Sequence, residues 1–447
     1  MMGTALASLL LLTLVSARQR AARPTAPNPT PTFSKEVSRI LQQNCDSCHH
    51  PGDIAPFSLM TYAEAYAHAA DIRFMTATRK MPPWKPVDGC AEFDGPRVLP
   101  QADIDTLAKW VSAGAPEGNR ADLPTPLHFD GGWTLGQPDM VLENARAFTP
   151  PADRDEYRCY SIPVPATPTT DGNAYVGAID IRPGNRSIVH HAIVYLDANG
   201  ESAGLDDGSG YQCFGGPGFG SSVSGLGSLG GWAPGARPAF LPDGIAMQMA
   251  LSPRSRVVLQ VHYHPHAGQS GPDQTQLGIY LTRKPVDKVV SFVPVINFLF
   301  HIPAGDPSYK VVGTLPFIER FPQDVHVVGI FPHMHLLGRS MKVEAQTPDG
   351  QTSCLINIDD WDFNWQGMYQ YKAPVALRAG SRPLLTAVYD NSAANFRNPN
   401  IPPKTVSWGE ATTDEMCIAF LAVTFDSEHR LKGIVADRSW VPPLMGR

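Results

Sequence analysis

The 447-residue sequence has no basic excess: 36 Lys and Arg stand against 42 Asp and Glu, a formal net charge of −6. Without a basic footprint, nucleic acid is not an expected partner. Charged residues are scarce overall, at 17%, which argues against long solvated helices. The apolar run at 5–15 is too short to span a bilayer comfortably, and no transmembrane segment is expected. The Gly-rich tract 208–235 includes GGPGFG but lacks a Gly-Lys-Ser/Thr ending and a following helix, so it is not a phosphate loop. What is plentiful is Gly, at 39, and Pro, at 43. That composition suits turn-rich β structure, and the length calls for two or three domains.

Residues 1–17 read as a signal peptide, with an A-x-A-like end at Val15-Ser16-Ala17, although no Lys or Arg precedes the apolar run. Export to a periplasmic or extracellular space of a bacterium is the expected location. Residues 18–32 read as a disordered linker, Pro-, Ala- and Arg-rich without periodicity.

Phe33, Val37, Ile40 and Leu41 recur at helical spacing and lead into Cys45-Asp46-Ser47-Cys48-His49. C-x-x-C-H places two thiols on one turn for the vinyl groups of a heme, with the next His on the iron. Half a zinc site or a thiol redox pair fits less well, because no second C-x-x-C exists and a redox pair has no use for the adjacent His. Met81, in Lys80-Met81-Pro82-Pro83-Trp84, is the best second axial ligand, with Met75 and Met60 behind it. Ile104, Leu107, Trp110 and Val111 mark one face of a closing helix that stops at Gly114. In its order of helix, heme motif, Met loop and final helix, 33–118 resembles a small class I cytochrome c. Residues 119–128 form a polar linker.

Beyond it, runs rich in branched residues at 188–196, 257–263, 277–281, 325–331 and 341–345 alternate with Gly/Pro turns. Their spacing indicates antiparallel sandwiches, and a division near 284–288 gives two of similar size, 129–285 and 286–425, before a tail at 426–447. The expected fold is therefore multidomain: a small all-α cytochrome c domain followed by two antiparallel, jelly-roll-like β-sandwiches.

Several potential metal ligands lie in this second part. His333 and His335, in FPHMHLLGRSM, are two apart and face one side of an extended strand. Imidazole suits copper and zinc. His190 and His191 are adjacent, so both can reach one ion only if the backbone bulges or the strand ends there. His262 follows Gln260 on a strand-like run, and Met416 stands in TTDEMCIAF. Core packing is what most Met residues do. A thioether with two imidazoles is nevertheless a soft set suited to Cu(I).

Four motifs, HH at 190–191, LQVHY at 259–263, HMHLLG at 333–338 and DEMC at 414–417, occur in the order found in copper type II, ascorbate-dependent monooxygenases. The second half resembles that family, which includes peptidylglycine α-hydroxylating monooxygenase and dopamine β-monooxygenase. The resemblance implies two coppers on facing sandwiches, separated by a solvent-filled cleft. His190, His191 and His262 would hold the electron-transfer copper. His333, His335 and Met416 would hold the copper at which O2 reacts. Gln260 and Tyr157 fall where the family lines the first centre, and His326 is a further suspect on the strand leading to the second. Where the peptide-processing member has an arginine, this chain has Phe331, and Ile418 and Phe420 replace polar residues. An apolar or aromatic small substrate is expected in place of a carboxylate.

Cys159 and Cys213 occupy the family's disulfide positions. Cys354 with Cys417 is a guess, and Cys90 is left over. Trp361 to Trp365 reads as a packed hairpin more readily than as a binding wall. The expected protein is a copper monooxygenase with two copper ions and one covalent heme c. Its electrons would come from an ascorbate-like reductant, a redox protein or the fused heme. The alternative is a non-catalytic copper and heme electron carrier.

Overall fold

Alternating burial organises most of the chain, because a strand puts every second side chain on one face. The computed structural model describes residues 30–51, 55–129, 132–165, 173–219, 228–233, 236–264 and 270–425. The expected signal peptide, most of the 18–32 linker and the 426–447 tail lie outside the described residues.

The first pair of sheets encloses a core that includes Val176, Val194, Leu259, Val261, Tyr263 and Ile279. One of its sheets runs in the order Tyr211–Gln212, Glu156–Pro163, Arg256–Tyr263, Val189–Asp197, Ser228–Trp232. The other runs Met140–Glu143, Gln276–Leu281, Asn173–Arg182, Ile245–Ala250, Lys288–Val289, and its last pairing is parallel. The second pair of sheets runs Ser291–Ile296, Ile418–Phe425, Val325–His333, Tyr369–Leu377 and, facing it, Tyr309–Gly313, Arg382–Tyr389, Gly338–Gln346, Thr352–Ile358. A ribbon of His301–Ile302 with Val406–Ser407 sits beside them. The chain passes from the first pair to the second between Val289 and Ser291.

The expected fold class is corrected here. The chain is mostly strand, with helix at 12%, and no sizeable all-α domain is present among the described residues. Four short α-helices, Ser38–Asn44, Tyr62–Ala67, Ala69–Ala77 and Gln101–Ser112, share a core of 13 buried apolar side chains, against 32 in the second pair of sheets. The reason is the path between the third and fourth helices. From Trp84 to Asp94 the backbone leaves the helices and joins the second pair of sheets as an extended arm. Pro86 bridges to Ile358 and Phe93 to Tyr371, with Val87 N donating to Asn357 O at 2.9 Å and Lys372 N to Glu92 O at 3.0 Å. Phe93 is buried in that second core, with Trp84 packed against it. A disulfide between Cys90 and Cys354 fixes the arm, which also corrects the guess that Cys354 pairs with Cys417. Cys417 is free and buried, its thiol pushed up to about 12 by burial. The Cys159–Cys213 disulfide is present. Two disulfides fit an oxidising compartment. Among the described residues, no helix is long and apolar enough to cross a membrane.

Candidate metal centre

His191 and His262 face each other across neighbouring strands, paired in register. Ala192, Val194, Leu259 and Val261 fill the core, so His191 and His262 stand on the opposite face. His190 would point inward on a regular strand. The ladder shifts register between Val189 and His191, and this bulge turns His190 to the same side. His190 Nδ1 then lies 3.2 Å from His191 Nδ1, and His262 Nδ1 lies 3.4 Å from it. The three side chains form a group whose ligating atoms lie within 4.8 Å of one another. His262 Nε2 is turned away, 3.3 Å from Asp155 Oδ2, and Asp155 Oδ1 is 2.6 Å from His264 Nδ1. Tyr157 stacks on His262 with ring centroids 4.1 Å apart and planes at 10°.

His333 closes the Val325–His333 strand opposite Ile418, and Phe331 lies opposite Phe420. Ile330 and Leu421 point into the second core, which leaves Phe331 and His333 on the outer face. His335 follows beyond the strand end, its ring centroid 5.1 Å from that of His333 and nearly perpendicular to it. His333 Nδ1 donates to Gln366 Oε1, and His335 Nδ1 donates to Asp414 O at 3.1 Å. Both rings thus keep Nε2 for another partner. The buried Glu415 carboxylate accepts from His335 N at 2.9 Å and Leu337 N at 2.6 Å, and the oxygen bonded to His335 also accepts from Met416 N at 3.2 Å. One carboxylate therefore ties the backbone of Met416 to that of His335. Gly338 allows Trp361 to pack here: a Cβ would meet its ring at 2.8 Å, and Trp361 Nε1 donates to His335 O at 3.2 Å.

The two clusters meet, and the expected solvent-filled cleft between them is corrected. The rings of His191 and His333 are 6.4 Å apart. Phe363 fills the space beside them, stacked on His190 at 4.4 Å and edge-on to His335 at 5.8 Å. Burial, and then the neighbouring imidazoles, hold His190 and His191 well below the usual histidine range. Burial likewise pushes His333 down to about 4 and His335 to about 3. All four are neutral at pH 7, the state a metal ligand requires. Burial also lowers His262, with Asp155 opposing the shift.

Other expected residues fall in different places. Gln260 donates to Cys213 O at 3.1 Å and so braces the disulfide loop. His326 sits seven residues before His333, roughly 20 Å along the strand, in a cleft of about 220 Å³ lined also by Asp243, Asp287 and Thr424. Phe331 and Phe420 stack at 6.4 Å beside His333, and Ile418 is buried at the same edge. Sequence reading missed Asp155, His264, Gln366 and Glu415, and read the Phe363 segment as a hairpin. For His264 a signal existed, since His262-x-His264 repeats the same-face spacing of His333-x-His335. For Asp155 and Gln366, which lie far away in sequence, there was none.

In the helical region, Cys45 and Cys48 are free thiols one turn apart, with Cys48 N donating to Cys45 O at 3.0 Å. His49 Nδ1 lies 3.1 Å from Phe57 O, which leaves Nε2 available. Met81 starts the arm, its N–H on Met75 O at 3.1 Å.

Two clusters of imidazoles on adjoining sheets offer borderline-soft donors of the kind a first-row metal ion takes. Residues 301–430 match the family described as copper type II ascorbate-dependent monooxygenase, C-terminal domain. DBH-like monooxygenase protein 1 of Homo sapiens is 26% identical over 255 residues, covering 54% of this chain and 40% of that protein. DBH-like monooxygenase protein 2 of Mus musculus is 26% identical over 295 residues, 63% of this chain and 45% of that protein. Tyramine beta-hydroxylase of Caenorhabditis briggsae is 23% identical over 250 residues, 54% of this chain and 40% of that protein. The chain spans less than half the length of these curated relatives. The matches support the copper type II monooxygenase family.

Proposed function

We propose that the chain is a copper-dependent monooxygenase that hydroxylates a C–H bond of a small apolar or aromatic molecule. The observation that carries this reading is the convergence of three ring nitrogens, those of His190 and His262 lying 3.2 and 3.4 Å from that of His191. Imidazole nitrogens about 2.0–2.1 Å from one first-row ion lie roughly 3.3–3.6 Å from each other. His191 Nδ1 carries either one N–H or one lone pair and so can bond only one of its two neighbouring nitrogens fully, and His190 Nε2 is buried without a hydrogen-bond partner. The donor set fits copper. His190, His191 and His262 would hold one ion and His333, His335 and Met416 the other, the latter with the softer donors. Bound copper supplies one-electron redox chemistry and a site for O2.

The chain's own residues do the rest. Gln366 and the Asp414 carbonyl hold the Nδ1 protons of His333 and His335 and so fix which nitrogen faces the site. Phe363 and the close approach of the two clusters narrow the space between them. Phe331, Ile418 and Phe420 form an apolar wall that offers no cation to a substrate carboxylate, and that selects against peptides bound through a C-terminal glycine carboxylate. The overall reaction takes R–H, O2, two electrons and two protons to R–OH and water. The electrons would come from an ascorbate-like reductant or a redox protein. They could also enter through a heme attached at Cys45 and Cys48 and ligated by His49, with Met81 as its second ligand. An exported, oxidising location is consistent with the two disulfides.

The test is incubation of the copper-loaded protein with ascorbate, labelled O2 and a panel of small aromatic and aliphatic molecules. A mass gain of one labelled oxygen supports the proposal. Copper that cycles without any oxygenated product identifies an electron carrier instead. Phe331→Arg should move preference toward carboxylate-bearing substrates, read as a change in the ratio of kcat/KM values.

A further inference from the structure

The loop that precedes Met416 belongs to the second pair of sheets and is also bonded to residues around the first cluster. Tyr157 Oη donates to Glu410 O at 2.5 Å, and Thr412 Oγ1 donates to Asp155 Oδ2 at 2.7 Å. Gly215 N, in the loop behind the Cys159–Cys213 disulfide, donates to Glu410 Oε2 at 2.7 Å. Tyr157 and Asp155 are the two residues that flank His262, one stacked on its ring and the other at its Nε2. At its far end the loop holds the second cluster, through Asp414 O on His335 Nδ1 and the Glu415 carboxylate on the amides of His335 and Met416. The loop is closed on itself, with Trp408 bridged to Glu415 and Asp414 N on Ala411 O at 2.8 Å. Glu410–Thr412 and Asp414–Met416 thus lie on one closed turn.

We propose that residues 410–416 form a latch coupling the two histidine clusters, with Tyr157 and Asp155 as positioning residues that report the state of His262 to His335 and Met416. A metal on His190, His191 and His262 fixes the His262 ring, hence Tyr157 and Asp155, hence the loop that presents the second donor set. Coupling of this kind is reciprocal: each occupied cluster tightens the other by the same factor. The proposal rests on the copper reading given above.

The test uses a Tyr157→Phe/Thr412→Val double variant, which keeps the stacking and side-chain volume and removes two of the three bonds. In the metal-free protein, amide hydrogen exchange across 409–416 should quicken roughly tenfold, with the strands on either side unchanged. Unchanged exchange in the loop overturns the latch. Anaerobic Cu(I) titration against a chromophoric chelator then reads the affinity of the second cluster with and without His191→Ala, or His191→Gln should the alanine variant not fold. Loss of the first cluster should weaken the second about tenfold in the wild-type background and less than about twofold in the latch variant. Equal weakening in both backgrounds overturns the coupling. If neither cluster binds Cu(I), the copper reading fails and the coupling with it, while the exchange comparison still decides whether the loop is a latch.

Discussion

The two histidine clusters are built in opposite ways. The first comes from two strands in the middle of a sheet, and its Nδ1 atoms turn toward one another. The second comes from a strand end and a loop, and its Nδ1 atoms are taken by Gln366 and Asp414. His191 and His262 are held by the ladder on both sides, and the His262 ring is held further by Tyr157 and Asp155. The second depends on a buried carboxylate and a neighbouring amide for its shape. On the proposed copper reading, three like donors on strands would suit an ion that only changes charge, and a set completed from a loop by the Met416 thioether would leave room for a reaction partner.

That contrast can be broken most severely at the first triad. His262→Ala should abolish one of two bound copper ions and all turnover, read by metal analysis and labelled-oxygen incorporation, with the second ion retained. Next in size is Glu415→Ala, which leaves the buried amides of His335, Leu337 and Met416 without their acceptor. It should lower stability by on the order of 3–5 kcal/mol in urea titrations, whereas Glu415→Gln keeps an acceptor and should cost less. A paired test sharpens the comparison. Asp155→Asn should weaken the first site by roughly 10–100-fold and, through Thr412, the second by a smaller factor. Gln366→Ala should weaken the second site by roughly 10–100-fold and leave the first within about threefold, and a larger loss at the first would show that Gln366 supports both.

The smallest effect lies outside both clusters. Burial, with Glu64 adding and His50 opposing, raises the Asp46 carboxyl from 3.8 to about 6. The folded chain holds this proton more tightly than the unfolded one. The stabilisation is therefore complete below about pH 4 and is lost as pH rises through about 6. The urea midpoint should fall over that window, and Asp46→Asn should flatten that part of the slope.

Period-two spacing made much of the centre legible. His333 and His335 share a side because their positions are two apart, and the His190–His191 pair is usable only with a break in the ladder, which lies between Val189 and His191. The helical face of Ile104, Leu107 and Trp110 is buried. What could not be read was anything set by chain path. The arm from Trp84 to Asp94 has no pattern that directs it to the second pair of sheets rather than back over the helices, so the all-α domain was wrongly expected and the Cys90–Cys354 bridge missed. Asp155 and Gln366 reach their histidines only because two distant segments meet. The closeness of the clusters follows from how one pair of sheets lies on the other, which local sequence does not encode.

The bulge at His190 makes the doublet separable from the sheet that carries it. Deleting either histidine would restore even pleating from Val189 to Asp197 and leave every later pairing as it is, because Val189 already lies opposite Tyr263 and His191 opposite His262. Ala192 and Val194 would stay in the core. A single lost codon at this point would thus spare the interior of the first pair of sheets and remove one donor from the centre.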